Sequence, residues 1–476
     1  MSTVVCGRVP GRAGYPSEFG QLLLASFLLS FAVVISHGRY FEPALACIVV
    51  AFALLVSCFA ASVRATPSAA VPRPAFALIG AAIMQLTALL DPKLIVYPHT
   101  PVSGVRAVEI LSILLLTTYL PFLGTRREPH VVRTVRFAAF GALTLAGGLA
   151  TIHISPAPLI DVWDVQMRGG HALLRGENPY VAVTAATTSA EWGALGFSSV
   201  PYVYSPGSLY VGLLGLAVGR DVRYAMLLAT IVTGVTLRSI ARPAHRGEAS
   251  TLASFLEDAP ALFVWLMGPL FFILEQAWID PIQLVLVCAA VATYLASRPA
   301  LAAAMIGLAL ASKQSMFWLI PISGVVLRFR PREWVAMIAT WGVLVVPFVV
   351  ADFHALKHAT YDALIALPGR SDALSATVWF QRTLGWALPT GAVASFFAAA
   401  AVGASAMITR ALARRGNDGI HERASLFVRA TAVTYLAFFL FSKIAFANYY
   451  FLIAGLAALA AATCLHERSA GDGALQ

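Results

Sequence analysis

The sequence predicts an all-α, polytopic transmembrane helical bundle of about 13–14 spans, and three observations predict it. Only 12% of the 476 residues are charged, against about 25% in a soluble domain. Hydrophobic residues make up 59%, and mean hydropathy is +0.79. The apolar runs are mostly 16 to 24 residues long and do not alternate, so they match helices crossing a ~30 Å core and not barrel strands.

The runs fall in order at 20–37, 43–62, 74–90, 108–124 and 134–153, forming an N-terminal helical region over 1–153. The run at 20–37 has no small-residue cleavage signature and reads as a retained first span. A less apolar stretch follows at 154–205. The region 206–465 then carries runs at 222–240, 258–275, 282–297, 299–312, 314–329, 333–351, 388–411, 426–443 and 447–465, and 466–476 reads as a cytoplasmic tail. The piece at 207–219 is about 20 Å long as a helix, too short to cross, and reads as re-entrant.

Arginine placement orients the chain. Arg8 and Arg12 put the N-terminus inside, and Arg64, Arg73, Arg126, Arg127, Arg133 and Arg136 fall in inner loops. With 207–219 re-entrant, Arg238, Arg242, Arg246, Arg328, Arg330, Arg332, Arg410, Arg414, Arg415 and Arg423 also fall inside. The four lysines, Lys93, Lys313, Lys357 and Lys443, fall outside. Net charge +10 follows from this bias and favours anionic membrane lipids as partners. The arginines form no basic aromatic stripe, so no nucleic acid is expected. Cys6, Cys47, Cys58, Cys288 and Cys464 show no CxxC spacing, so neither a disulfide nor a zinc site is expected.

Chemically capable residues gather on the expected outer side. In IDVWDVQMRGGHALLRGENPY (160–180), Asp161, Asp164, Arg168, His171 and Arg175 are spaced by three and four and share one face of a helix. That helix is amphipathic, fits the membrane surface, and ends near Gly176 before a turn at Asn178-Pro179-Tyr180. Its polar face suits either salt-bridged surface residues or an active-site base at Asp161, close to a span. YVYSPGSLY (202–210) carries Tyr204 and opens a half-helix on Pro206; it also fits an aromatic belt.

LEQAWIDP (274–281) puts Glu275 and Asp280 in one short turn. Lys313 and Gln314 sit between two short helices of about 21 and 24 Å, so Lys313 falls within the bilayer depth, where an ionisable residue is functional by default. The loop 352–387 holds His354, His358, Arg370 and Asp372. The two histidines have metal-ligand spacing but lack an HExxH pattern, and no metal is expected. FSKIAFANYY (441–450) brings Lys443, Asn448 and Tyr449 to the mouth between two spans. There is no P-loop, no GxGxxG after a strand and no GxSxG, and the inner loops are too short for a nucleotide-binding domain.

This order of motifs resembles the GT-C membrane glycosyltransferases, and within them the family 87 type, which includes mannosyltransferases fed by polyprenyl-phosphate mannose. The resemblance runs from about 155 to 465. It covers the acid after a span, the helix closing on GENPY, Tyr204-Ser205-Pro206, EQAWIDP, the SKQ turn, LPGRSDALS and FANYYFL. It implies a GT-C type bundle in the cell membrane, with 154–205 as an extracytoplasmic catalytic loop. It also implies inverting transfer of a sugar from a polyprenyl-phosphate donor to a lipid or glycan acceptor, without a cofactor.

The base carried over is Asp161. Asp164, on the same helix, leaves open which acid serves. A carboxylate within hydrogen-bond reach can take the acceptor's proton, and a phosphate leaving group needs cations, for which Lys313, Arg370 and Lys443 are the candidates. His171, Asn178, Tyr180, Tyr204, Glu275, Asp280, Gln314, His354, Asp372, Asn448 and Tyr449 complete the expected substrate contacts. Two other classes fit the same chain: a transporter or lipid flippase built on broken helices, and an O-antigen-ligase-like glycan transferase.

Overall fold

The computed structural model describes residues 17–62, 74–91, 96–120, 128–186, 199–242, 251–367, 369–414 and 419–474. Arg8, Arg12, Arg64, Arg73, Arg126, Arg127, Arg246 and Arg415, together with Cys6, Lys93 and Pro368, lie outside the described residues.

The chain is a helical membrane protein. It begins with α1 (Ser17–Ser36), α2 (Glu42–Ala61), α3 (Pro74–Leu90), α4 (Ser103–Thr117) and α5 (His130–Ile154). The stretch after α5 holds α6 (Asp161–Leu174), α7 (Pro179–Ala182) and an antiparallel pair, β1 (Thr184–Ala186) and β2 (Ser199–Pro201). Then come α8 (Pro206–Gly219), α9 (Arg223–Ala241), α10 (Thr251–Trp265), α11 (Leu270–Glu275), α12 (Asp280–Leu295) and α13 (Pro299–Ser312). The last helices are α14 (Pro331–Lys357), α15 (Ala376–Leu384), α16 (Thr390–Arg414), α17 (Ile420–Leu440) and α18 (Ala447–Ala474).

Eight of these are long and apolar enough to cross a membrane: α1, α2, α5, α9, α14, α16, α17 and α18. The expected 13–14 spans therefore do not all form full-length helices, and proline explains two of the differences. The run at 258–275 breaks into α10 and α11 at Gly268-Pro269, because proline donates no backbone N–H and drives the residue before it out of the helical region. The run at 314–329 contains Pro321 and winds as a 3₁₀ turn (Gln314–Trp318), one α turn (Leu319–Ile322) and a π turn (Ser323–Leu327). The supposed tail from 466 continues α18 as far as Ala474.

α18 is the central helix, packed against α1, α9, α10, α12 and α17. Its alanine-rich middle allows close approach: Ala454, Ala457, Ala458 and Ala460 are fully buried, and Gly455 sits against Leu284.

Ionic groups collect at both ends of the bundle, and at the end of the arginine clusters the arginines are paired with buried or half-buried acids. At the end where α5 begins, Arg136 pairs with Glu128 at 2.6 Å, Arg238 with Asp258 at 2.7 Å, Arg429 with Glu18 at 2.9 Å, and Arg133 with Glu257. Glu257 and Asp258 lie inside an apolar stretch, where arginine is the neutralising partner that makes their burial tolerable. The other end lies about 27 Å along α5 from Arg136. There, the starts of α6, α8, α12 and α18 meet the ends of α11 and α13.

Candidate functional site

The site begins at α6. Val165, Gln166, Gly169, Gly170 and Ala172 form its buried face. Gly169 lies against Tyr202 and Leu209, and Gly170 against Leu216, so the helix beds closely on α8. It stops at Gly176, whose φ of +75° suits glycine, as the sequence predicts. Both acids of its polar face are half-buried, and Asp164 is held by the exposed Arg168 one turn on, at 2.8 Å. Asp161 is half-buried, and its carboxylate accepts the Val162 N–H at 2.8 Å.

A buried anchor absent from the sequence reading fixes this end of α6. Trp163 donates to Asp221 at 3.2 Å, Asp221 pairs with Arg223 at 2.7 Å, and Arg223 donates to the Ser155 carbonyl at 2.8 Å. The available signal was an acid and an arginine two residues apart in the turn between two apolar runs.

Asp280 lies opposite. It is completely buried at the first turn of α12 and accepts from Lys313 Nζ at 2.9 and 3.0 Å and from Asn448 Nδ2 at 2.9 Å. The Lys313 ammonium also faces the Tyr449 ring, 4.6 Å from its centroid. Three helices, α12, α13 and α18, are thus tied by one carboxylate. Lys313 was expected to be a ready phosphate cation; the structure makes it half of a neutral pair, because a charge at that depth needs a partner. Tyr204 stands between the two halves of the site. Burial pushes its phenol well above the ordinary range, with Asp161, Tyr449 and Asp280 adding to the rise. The structure therefore brings Tyr449, Asp280, Lys313 and Asn448 together, with Tyr204 close enough to feel the charges of both Asp161 and Asp280.

The other two expected cations differ from each other. Arg370 is paired with Asp372 at 2.8 Å and lies over the Phe446 ring. Lys443 donates to the carbonyls of Ile365, at 2.9 Å, and Leu367. Burial lowers its pKa from the ordinary value, and among the described residues it has no carboxylate partner.

Several expected contacts are structural. Glu275 is fully buried and accepts the backbone N–H groups of Val96 and Tyr97, both at 2.7 Å, clamping that loop onto α11. Gln314 donates to the carbonyls of Val203 at 2.7 Å and Thr360 at 3.1 Å. Asn178 caps α7, and Tyr180 is buried, donating to the Tyr204 carbonyl at 2.8 Å. Asp372 also accepts, through its carbonyl, from Tyr40 N–H at 2.7 Å. His171 and His354 are exposed, on the outside of their helices. Helical spacing alone cannot tell these inward and outward placements apart.

Beside Ser205 and Pro206 lies a cavity of about 610 Å³ between the 3₁₀ turn after α13 and helix α14. Its lining is mostly apolar, including Phe317, Ile320, Met337, Trp341, Val345 and Val349, with Gln314, Lys357, Thr360 and Tyr361 among its polar members. Ile338 and Trp341, among its lining residues, are exposed. Among the described residues, no three His, Cys, Asp or Glu side chains come together as metal ligands. The chain matches no family model, no curated protein and no solved structure.

Proposed function

We propose that the chain is a membrane glycosyltransferase of the GT-C type. It moves a sugar, mannose or similar, from a polyprenyl-phosphate donor to a lipid or glycan acceptor, with inversion. The observation that supports this most is a largely apolar cavity whose lining includes Ser205, Pro206 and Gln314, the chain neighbours of Tyr204 and of the buried Asp280–Lys313 pair. An amphiphile with one long tail and a small polar head fits that combination. In this reading Asp161 takes the acceptor proton as the hydroxyl attacks the anomeric carbon. The phosphate departs with the bonding electron pair, stabilised by Lys443 and by donors near the start of α8. The site faces the extracytoplasmic side of the cell membrane and the N-terminus faces the cytoplasm, in keeping with the arginine bias.

Filling the cavity tests the reading. Val345→Trp is expected to raise the KM for a long-chain polyprenyl-phosphate sugar by about tenfold or more, while a donor with a short tail is affected less than about twofold; roughly three buried CH₂ groups lost, at ~0.8 kcal/mol each, suffice for this. Equal effects on both donors would remove the cavity from the account.

The second ionic layer at the far end of the bundle favours one other reading, a transporter with a polar gate at each end. Counterflow of labelled lipid-linked sugar in proteoliposomes, without transfer, would establish it.

A further inference from the structure

The connection between α1 and α2 is built into the site. Gly38 has φ +73°, and a Cβ on it would lie 2.4 Å from the backbone nitrogen of Ala447, so glycine alone fits there. Ala447 opens α18, and the next residue, Asn448, donates to Asp280 at 2.9 Å. The loop is held on both flanks. His37 Nε2 meets Asp91 at 2.8 Å, and Gly38 N–H donates to Ser36 Oγ at 3.1 Å. On the other side Tyr40 N–H donates to the Asp372 carbonyl at 2.7 Å, and the Arg382 guanidinium lies 4.5 Å from the Tyr40 ring centroid. The Asp372 segment is tied in turn to the lead-in of α18, by Leu374 N–H to Ala445 at 2.9 Å and Arg370 N–H to Lys443 at 3.1 Å. The contacts close a ring that ends at the helix carrying Asn448 and Tyr449.

We propose that residues 37–40 are a positioning clasp: Gly38, pressed on Ala447, fixes the start of α18 so that Asn448 holds the Asp280 carboxylate in register with Lys313. This gives the first helical hairpin a part in the site. The proposal rests on the functional reading only in treating Asp280 and Lys313 as site residues.

The test needs no substrate. The full chain in detergent micelles is treated with a lipophilic carbodiimide, which activates a carboxyl group. The nearby Lys313 amine then displaces the urea to give an Asp280–Lys313 amide with net loss of water, read by peptide mass spectrometry. Wild type is expected to form this cross-link. Asn448→Ala and Gly38→Ala should lower the yield about tenfold per folded molecule, since misplacing reacting groups by about 1 Å costs on the order of 100-fold in rate. Arg382→Ala, an exposed change that loosens the clasp from outside, should lower it about threefold. A wild-type yield in folded Gly38→Ala overturns the proposal. If that variant does not fold, a wild-type yield in Arg382→Ala does so, and no cross-link in wild type does as well. Absence of sugar transfer by wild type, with these yields as expected, sinks the proposed reaction and leaves the clasp standing.

Discussion

Asp161→Asn is expected to lower kcat for sugar transfer by about 10²–10⁴-fold, the usual contribution of a positioned general base, with donor KM little changed. The amide keeps the shape and the hydrogen bond to Val162 N–H but cannot take the acceptor's proton. Asp164→Asn is the internal control. That carboxylate is paired with the exposed Arg168, and an i,i+4 pair contributes about 0.3–0.5 kcal/mol, so about a twofold effect is expected. Steady-state kinetics of both variants with one lipid donor checks the pair. Equal losses would mean that the two acids act together; full activity in Asp161→Asn would move the base elsewhere, with Asp280 as the next acid in the site.

The second large effect concerns Asp280 and Lys313. Asp280→Leu leaves a buried ammonium with an aromatic face and no carboxylate, and Lys313→Met leaves a buried carboxylate with Asn448 alone. Each single change is expected to cost about 3–5 kcal/mol, because an unpaired buried charge is far more expensive than the intact pair is favourable. The double variant Asp280→Leu, Lys313→Met should recover most of that stability while remaining inactive in transfer. Unfolding midpoints of the three variants in the same detergent decide it. Additive losses in the double variant would mean that the two residues are not energetically coupled.

The helical membrane class was legible because lipid leaves composition and run length little freedom. The amphipathic α6 was legible for a similar reason: polar residues at three- and four-residue spacing and a glycine stop leave few alternatives, and it ends as expected at Gly176. Helix breaks were harder to read. Gly268-Pro269 and Pro321 sit inside apolar runs, where hydropathy registers length but not the lost backbone hydrogen bond. Charge pairing was hardest. Lys313 and Asp280 are 33 residues apart, and Asp280 and Asn448 are 168 apart, so no local pattern relates them. Glu275 looked like Asp280's partner in one short turn, yet it reaches back to residues 96–97, because a buried carboxylate goes to the nearest unpaired N–H groups. The role of 37–40 was invisible for the same reason, since Gly38 acquires its meaning only from Ala447, far along the chain.

The proposed activity is transfer of a sugar from a lipid phosphate. The most direct measurement is purified protein in proteoliposomes given a polyprenyl-phosphate sugar labelled in the sugar, with a lipid-glycan extract from the cell envelope as acceptor. Labelled product of inverted anomeric configuration and release of polyprenyl phosphate are expected, both lost in Asp161→Asn. Intact donor recovered on the opposite leaflet, with no labelled glycan formed, would contradict it.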